Sequence, residues 1–171
     1  NRILRAMGIE PKEELSAART ADELASLVQR SALQGLLEDD TATLLSRTIE
    51  FSRRNAVDVM TPRTQVESVH RSDTAWDVIA LARKTGYSRF PVIDESSDDI
   101  RGVVHVKQAI AVPPDKRDGV PASALQSEVI RVPETMTLDV LLTELRGRGY
   151  QVAIVVDEYG GTSGIATLED L

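Results

Sequence analysis

Gly86-Tyr87-Ser88-Arg89-Phe90-Pro91-Val92-Ile93-Asp94-Glu95 returns 63 residues later as Gly149-Tyr150-Gln151-Val152-Ala153-Ile154-Val155-Val156-Asp157-Glu158. The same offset pairs Val66 with Val129, Val69 with Val132 and Thr74 with Thr137. Past the next turn the offset falls to 62, pairing Gly102-Val103-Val104 with Gly164-Ile165-Ala166 and Gln108 with Asp170. Loss of a single residue therefore keeps two stretches in register. An internal repeat outranks other sequence signals, because two copies of one unit pack as a pseudo-symmetric pair with clefts between them.

Each copy reads as strand, helix, strand, strand, helix. In the second, Val129–Val132 is a short strand. Thr137 caps a helix whose Leu138, Leu141, Leu142 and Leu145 recur at helical spacing, and Gly147 and Gly149 end it. Val152–Val156 is a continuous apolar run, as in a strand covered on both faces. Gly160-Gly161 makes a turn, Ser163–Thr167 returns, and a last helix is expected from Leu168. The first copy follows the same plan. Thr74 is its cap, Ala75, Val78, Ile79 and Ala82 its buried stripe, and Phe90–Ile93 its covered strand. Residues 113–124, with Pro113-Pro114 and Pro121, read as the linker between copies.

Residues 1–57 lie outside the repeat. Thr20-Ala21-Asp22-Glu23 matches a capping box, Leu24, Leu27 and Val28 share a face, and Gly35 is a stop. A second helix is expected from Asp39 or Asp40 to near Asn55, with Leu44, Leu45, Thr48 and Ile49 as its apolar stripe.

Composition narrows the function. With 42% hydrophobic and 27% charged residues the chain is ordinary globular protein, and with 4% aromatics its core is aliphatic. There is no Cys, which removes disulfides and thiolate metal sites. No apolar run approaches the roughly 20 residues that cross a bilayer. A net charge of −7 argues against a nucleic-acid surface, and it disfavours bare polyanions unless a cation accompanies them. No P-loop, dinucleotide glycine fingerprint, nucleophile elbow or cysteine nucleophile is present, so an enzyme is not expected. His70 and His105, the two histidines, make a poor metal site. Asp94–Asp99 lacks the glycine and glutamate of a calcium loop and reads as a solvated turn.

These residues resemble the CBS domain, which occurs as a tandem pair, the Bateman module. The shared pattern is a Gly before a strand ending Pro-Val-x-Asp, then Gly-apolar-apolar-Thr/Ser-x-x-Asp. Here it is Gly86…Pro91-Val92-Ile93-Asp94 with Gly102-Val103-Val104, and Gly149…Val155-Val156-Asp157 with Gly164-Ile165-Ala166-Thr167-Leu168-Glu169-Asp170. Asp58-Val59-Met60-Thr61-Pro62-Arg63, Gly86–Pro91 and Val155-Val156-Asp157-Glu158-Tyr159-Gly160-Gly161-Thr162 look narrower still, like signatures of the CorC/HlyC group related to the CNNM magnesium transporters. The resemblance implies an α/β fold, a tandem pair of pseudo-symmetric βαββα units. It divides the chain into a helical connector (1–57), a first motif (58–112), a linker (113–124) and a second motif (125–171) truncated at its final helix. In that group a membrane domain precedes the pair and a small domain often follows, so the chain reads as a piece of a longer protein.

The resemblance further implies an adenine nucleotide between the copies. It assigns Thr61, Tyr87, Ser88, Arg89, Pro91, Thr167 and Asp170 to one nucleotide site. There Asp170 would hold the ribose, Thr61 and backbone near Ser88 would meet base or sugar, and Arg89 the phosphates. Each has a plainer reading: Asp170 as a helix cap, Arg89 as an ion-pair partner, Thr61 as the start of a turn. In the sister cleft Gln108 stands where Asp170 stands and His105 replaces Thr167. An amide accepts more weakly than a carboxylate, and His105 is expected to crowd the sugar. One competent site and one weak or empty one follow. An acidic domain and a triphosphate point to ATP accompanied by Mg2+. The implied role is the cytosolic regulatory module of a membrane magnesium or divalent-cation transporter, at the cytoplasmic face, joined to its transmembrane domain and homodimeric. The alternatives are a dimerisation scaffold that binds no nucleotide and a regulatory insert of an enzyme.

Overall fold

The computed structural model describes residues 20–171, so the first 19 residues of the expected connector lie outside the described part. The chain divides into Asn1–Glu50 and Phe51–Leu171. In the first unit α1 (Ala21–Leu33) starts at the Thr20 capping box: Thr20 Oγ1 accepts from the Glu23 amide, and the Glu23 carboxylate accepts from the Thr20 amide. It stops before Gly35, whose φ of +69° lies in the left-handed region. The next helix, α2 (Asp39–Phe51), opens on Asp39 and Asp40, whose charges suit the helix dipole. It ends at Phe51, short of the expected Asn55. The Asn55 amide is taken by the Asp58 carboxylate at 2.8 Å, and the Arg54 carbonyl accepts from Leu138, so the backbone has left the helix to meet the second copy.

The second unit holds two small sheets. β2 (Val69–His70) runs parallel to β3 (Arg89–Ile93), which pairs antiparallel with β4 (Ile100–His105). In the second copy β5 (Ile130–Pro133) runs parallel to β6 (Val152–Val156), which pairs antiparallel with β7 (Thr162–Thr167). The copies keep one register, Val69 facing Val92 in the first and Val132 facing Val155 in the second. α3 (Ala75–Thr85) and α6 (Leu138–Arg148) end at Gly86 and Gly149, with φ of +79° and +70°.

Each copy is completed by the segment that leads into the other. β1 (Thr61–Pro62) precedes the first copy yet pairs with β7, as the outer strand of the second sheet. Reciprocally, Ser127 precedes the second copy and exchanges backbone hydrogen bonds with Val103 in β4. Asn55 bridges Thr137, and Pro121 bridges Thr74. The alanines following those two residues are both fully buried, Ala56 in the second core and Ala122 in the first. Residues 113–124 are therefore packed structure. They carry a 3-10 turn over Pro114–Gly119 and a short helix, α5 (Ala122–Leu125). Arg117 binds the carbonyls of Val112 and Ile110 while its guanidinium lies 4.9 Å from the Trp76 ring centre.

Two glycines make the exchange possible. A side-chain carbon on Gly102 would lie 2.7 Å from the Ser127 carbonyl oxygen, and one on Gly164 would collide with the Thr61 carbonyl. The last expected helix is not formed: Leu168–Asp170 is a turn, closed by Asp170 N–H on the Thr167 carbonyl at 3.1 Å. Four residues follow Thr167, fewer than a ladder of i to i−4 bonds needs. Its counterpart in the first copy, α4 (Val106–Ala111), has the residues to continue.

Candidate functional site between the two copies

Pseudo-symmetry sets two cavities between the copies. The first, of about 330 Å³, is lined by Thr61 from the leading segment, by Tyr87, Ser88, Arg89 and Pro91 from the first copy, and by Thr167 and Asp170 from the second. All seven residues singled out in the sequence thus face one space, although they come from three separate stretches of chain. Thr61 arrives there because β1 joins the second sheet rather than the first. Pro91 is buried in β3, Arg89 is half-buried at its start, and Tyr87 is 60% exposed at the rim.

Asp170 closes a turn rather than capping a helix, and this leaves room for the ligand reading. Its Oδ2 accepts from the Thr167 amide at 2.7 Å and from the Thr167 hydroxyl at 2.8 Å, while that hydroxyl accepts from the Glu169 amide at 3.2 Å. Both bonds to Asp170 use one oxygen. The second oxygen sits in a side chain held in place by this local network, and a carboxylate oxygen can accept from a sugar diol. Arg89 Nη2 donates to the amide oxygen of Gln151 at 2.6 Å, so the guanidinium is tethered to a neutral group rather than a carboxylate.

Sequence reasoning missed part of the wall. Gln151, Val103, Val152, Ile165, Glu67 and Glu169 also line this cavity. Gln151 is the repeat partner of Ser88, and Glu169 sits inside the Thr-x-x-Asp turn, so the repeat could have flagged both. The carboxylates of Glu67, Glu169 and Asp170 there face the single cation Arg89.

The second cavity has the same volume, about 330 Å³, and shares Arg89, Val103, Gln151 and Val152 with the first. The crowding expected from His105 does not appear as lost volume. The imidazole turns back on its own chain instead, its Nδ1 accepting from the Lys107 amide at 3.0 Å. Gln108 repeats the Asp170 bond at the start of α4, its Oε1 accepting from the His105 amide at 2.8 Å, and its Nε2 donates to the Ser127 hydroxyl at 3.1 Å. Burial first, then the charges of Arg89 and Lys107, hold the His105 pKa below the usual imidazole range. Among the described residues, no group of three or more His, Asp or Glu is placed to hold a metal ion.

The CBS domain profile matches residues 56–115 and 122–171, one match for each copy. The chain belongs to the CBS domain family. Within it, relatives of the chain include CorC proteins. A UPF0053 protein of Mycobacterium tuberculosis is 45% identical over all 171 residues, which are 38% of its length. The magnesium and cobalt efflux protein CorC of Escherichia coli K12 is 31% identical over 153 residues, 90% of this chain and 52% of that protein. The chain thus spans about half or less of these curated relatives. A solved CBS domain of the bacterial CNNM/CorC family Mg2+ transporter, in complex with ATP, is 38% identical. It superposes with a TM-score of 0.70 over 72% of this chain and 87% of that one. This CBS pair therefore belongs with the CNNM/CorC group. No helix among its described residues is long and apolar enough to cross a membrane.

Proposed function

We propose that this CBS pair is the cytosolic regulatory module of a divalent-cation transporter and that it binds ATP with Mg2+ in the Asp170 cavity. The observation that carries the reading is the convergence of Thr61, Tyr87, Ser88, Arg89, Pro91, Thr167 and Asp170 on one cavity. The ATP complex of a CNNM/CorC relative supports it. Asp170 receives the ribose hydroxyls, Thr61 and the Ser88 region meet base and sugar, and Arg89 meets the phosphates.

Magnesium follows from charge. Three carboxylates against one arginine repel a naked tetra-anion, and Mg2+ bridging the phosphates with its waters retained removes most of that repulsion. Residues 58–112 and 125–171 act as the two motifs, residues 113–124 join them, and residues 1–57 link the pair to a membrane domain of the full-length protein. Half-exposed apolar side chains on helices, Ile110 and Val140, suit a homodimer formed through helical faces. Nucleotide and cation are then coupled reciprocally in the intact transporter, so cation state alters nucleotide affinity.

Calorimetric titration of the chain with ATP, with and without Mg2+, tests the reading. Binding that tightens with Mg2+ is expected. Equal affinity in both would remove the cation-linked part, and no binding of any adenine nucleotide would leave the dimerisation scaffold as the better account.

A further inference from the structure

The second cavity is more than a failed copy of the first, because its chemistry is of another kind. Gln108 stands where a ribose-holding carboxylate would, and its amide is committed at both ends, to the His105 amide at 2.8 Å and to the Ser127 hydroxyl at 3.1 Å. No carboxylate is left there to receive a diol from that position. The charge is also reversed. Arg89 and Lys107 line this cavity against the single carboxylate of Glu128, whereas the first sets three carboxylates against Arg89.

Among the described residues, neither Arg89 nor Lys107 is held in an ion pair. Arg89 is aimed by its 2.6 Å bond to neutral Gln151, which costs it no charge. Two cations against one carboxylate in a cavity of about 330 Å³ favour an anionic head group, and charge-assisted hydrogen bonds to phosphate suit both side chains. A phosphate group alone fills little of that volume. Val103, Val129, Val152 and Tyr150 supply an apolar and aromatic part of the wall, beside the polar His105, Ser127 and Gln151.

We propose that the cavity between Lys107, Arg89 and Tyr150 binds a phosphate monoester that carries no ribose, its phosphate on the two cations and its apolar body against the valines and Tyr150. The site is distinct from the nucleotide cavity and does not require that cavity to be filled. It does share Arg89, so the two ligands compete for one guanidinium.

The probe is phenyl phosphate, with inorganic phosphate and phenol as its two halves, followed by amide and histidine NMR shifts of the 171-residue chain. Saturable shifts at Ser127, Glu128, Tyr150 and His105 are expected with phenyl phosphate, weaker ones with inorganic phosphate, and none with phenol. Lys107 is exposed, so Lys107→Ala leaves the fold intact. It should weaken binding about tenfold, the loss of one charge-assisted contact. Asp170→Ala should leave it unchanged. Silence at these residues up to millimolar probe would overturn the proposal. So would equal binding by Lys107→Ala, or shifts centred on Thr61 and Asp170 instead. Loss of ATP binding with phenyl phosphate binding intact would count only against the nucleotide reading.

Discussion

The two copies fill the same architecture with opposite distributions of bulk. In the first, the strand carries Phe90 and the helix carries Ala75 and Ala82; at the matching places the second carries Ala153, Leu138 and Leu145. Phe90, Leu138 and Leu145 are all among the fully buried side chains. Bulk on the strand is exchanged for bulk on the helix, and each core remains closed. Close packing tolerates such a swap only as a set, because a lone truncation leaves a cavity. Phe90→Ala alone should therefore lower stability by about 3–5 kcal/mol in denaturant unfolding. Adding Ala82→Leu, which imports the second copy's solution, should recover part of that loss. No recovery would mean that the two cores are not interchangeable.

The same comparison applied to the cavities gives the next effect. Asp170 and Gln108 occupy matching places and make matching bonds, so they differ chiefly in charge. Asp170→Ala should weaken ATP binding by about 1.5–3 kcal/mol, or about tenfold to a hundredfold in calorimetry. Gln108→Ala should leave ATP affinity within about twofold. Equal losses would erase the asymmetry between the cavities. The glycines at the two exchanged segments come after. Gly164→Ala must displace the Thr61 carbonyl and Gly102→Ala the Ser127 carbonyl, so each should cost about 1–3 kcal/mol of stability. Gly164 has the tighter approach, and its variant should unfold at the lower denaturant concentration. It alone should also disturb ATP binding, because Thr61 lines only the first cavity.

What the sequence made legible was local or repeated. The Thr74 cap formed its box with Asp77, the Val152–Val156 run became a strand with those bounds, and Gly86 took the left-handed conformation of a helix stop. The reciprocal exchange was not legible. A two-residue strand at Thr61–Pro62 has no periodicity, and a buried alanine at 56 or 122 looks like any other small residue. Partners so far apart in the chain announce themselves only through packing. The site residues were legible because three motifs carried them. Glu67 and Gln151 belonged to none of the three, and the charge difference between the cavities rests partly on Glu67.

One further contrast separates His105 from its counterpart Thr167. Both sit at the end of a return strand, and both accept from an amide two residues on, Lys107 and Glu169 respectively. The threonine does not titrate in the accessible range, but the imidazole does. Burial and two neighbouring cations depress the folded pKa of His105, and protonation at Nδ1 would cancel its bond to Lys107. The unfolded chain therefore takes up this proton first. Stability contributed by neutral His105 is complete above the usual value of 6.5 and falls away below it, towards the depressed folded pKa. Asp77, whose pKa is lowered by bonds from Thr74, contributes stability that is present above 3.8 and lost at lower pH, so its loss sets in at lower pH than that of His105. His105→Asn keeps a capping side chain and removes the titration. Its stability relative to the natural sequence should improve as pH falls from 7 towards 5, by less than the core and glycine effects, when denaturant midpoints are measured across that range. A difference independent of pH would mean that the imidazole is not held neutral by the fold.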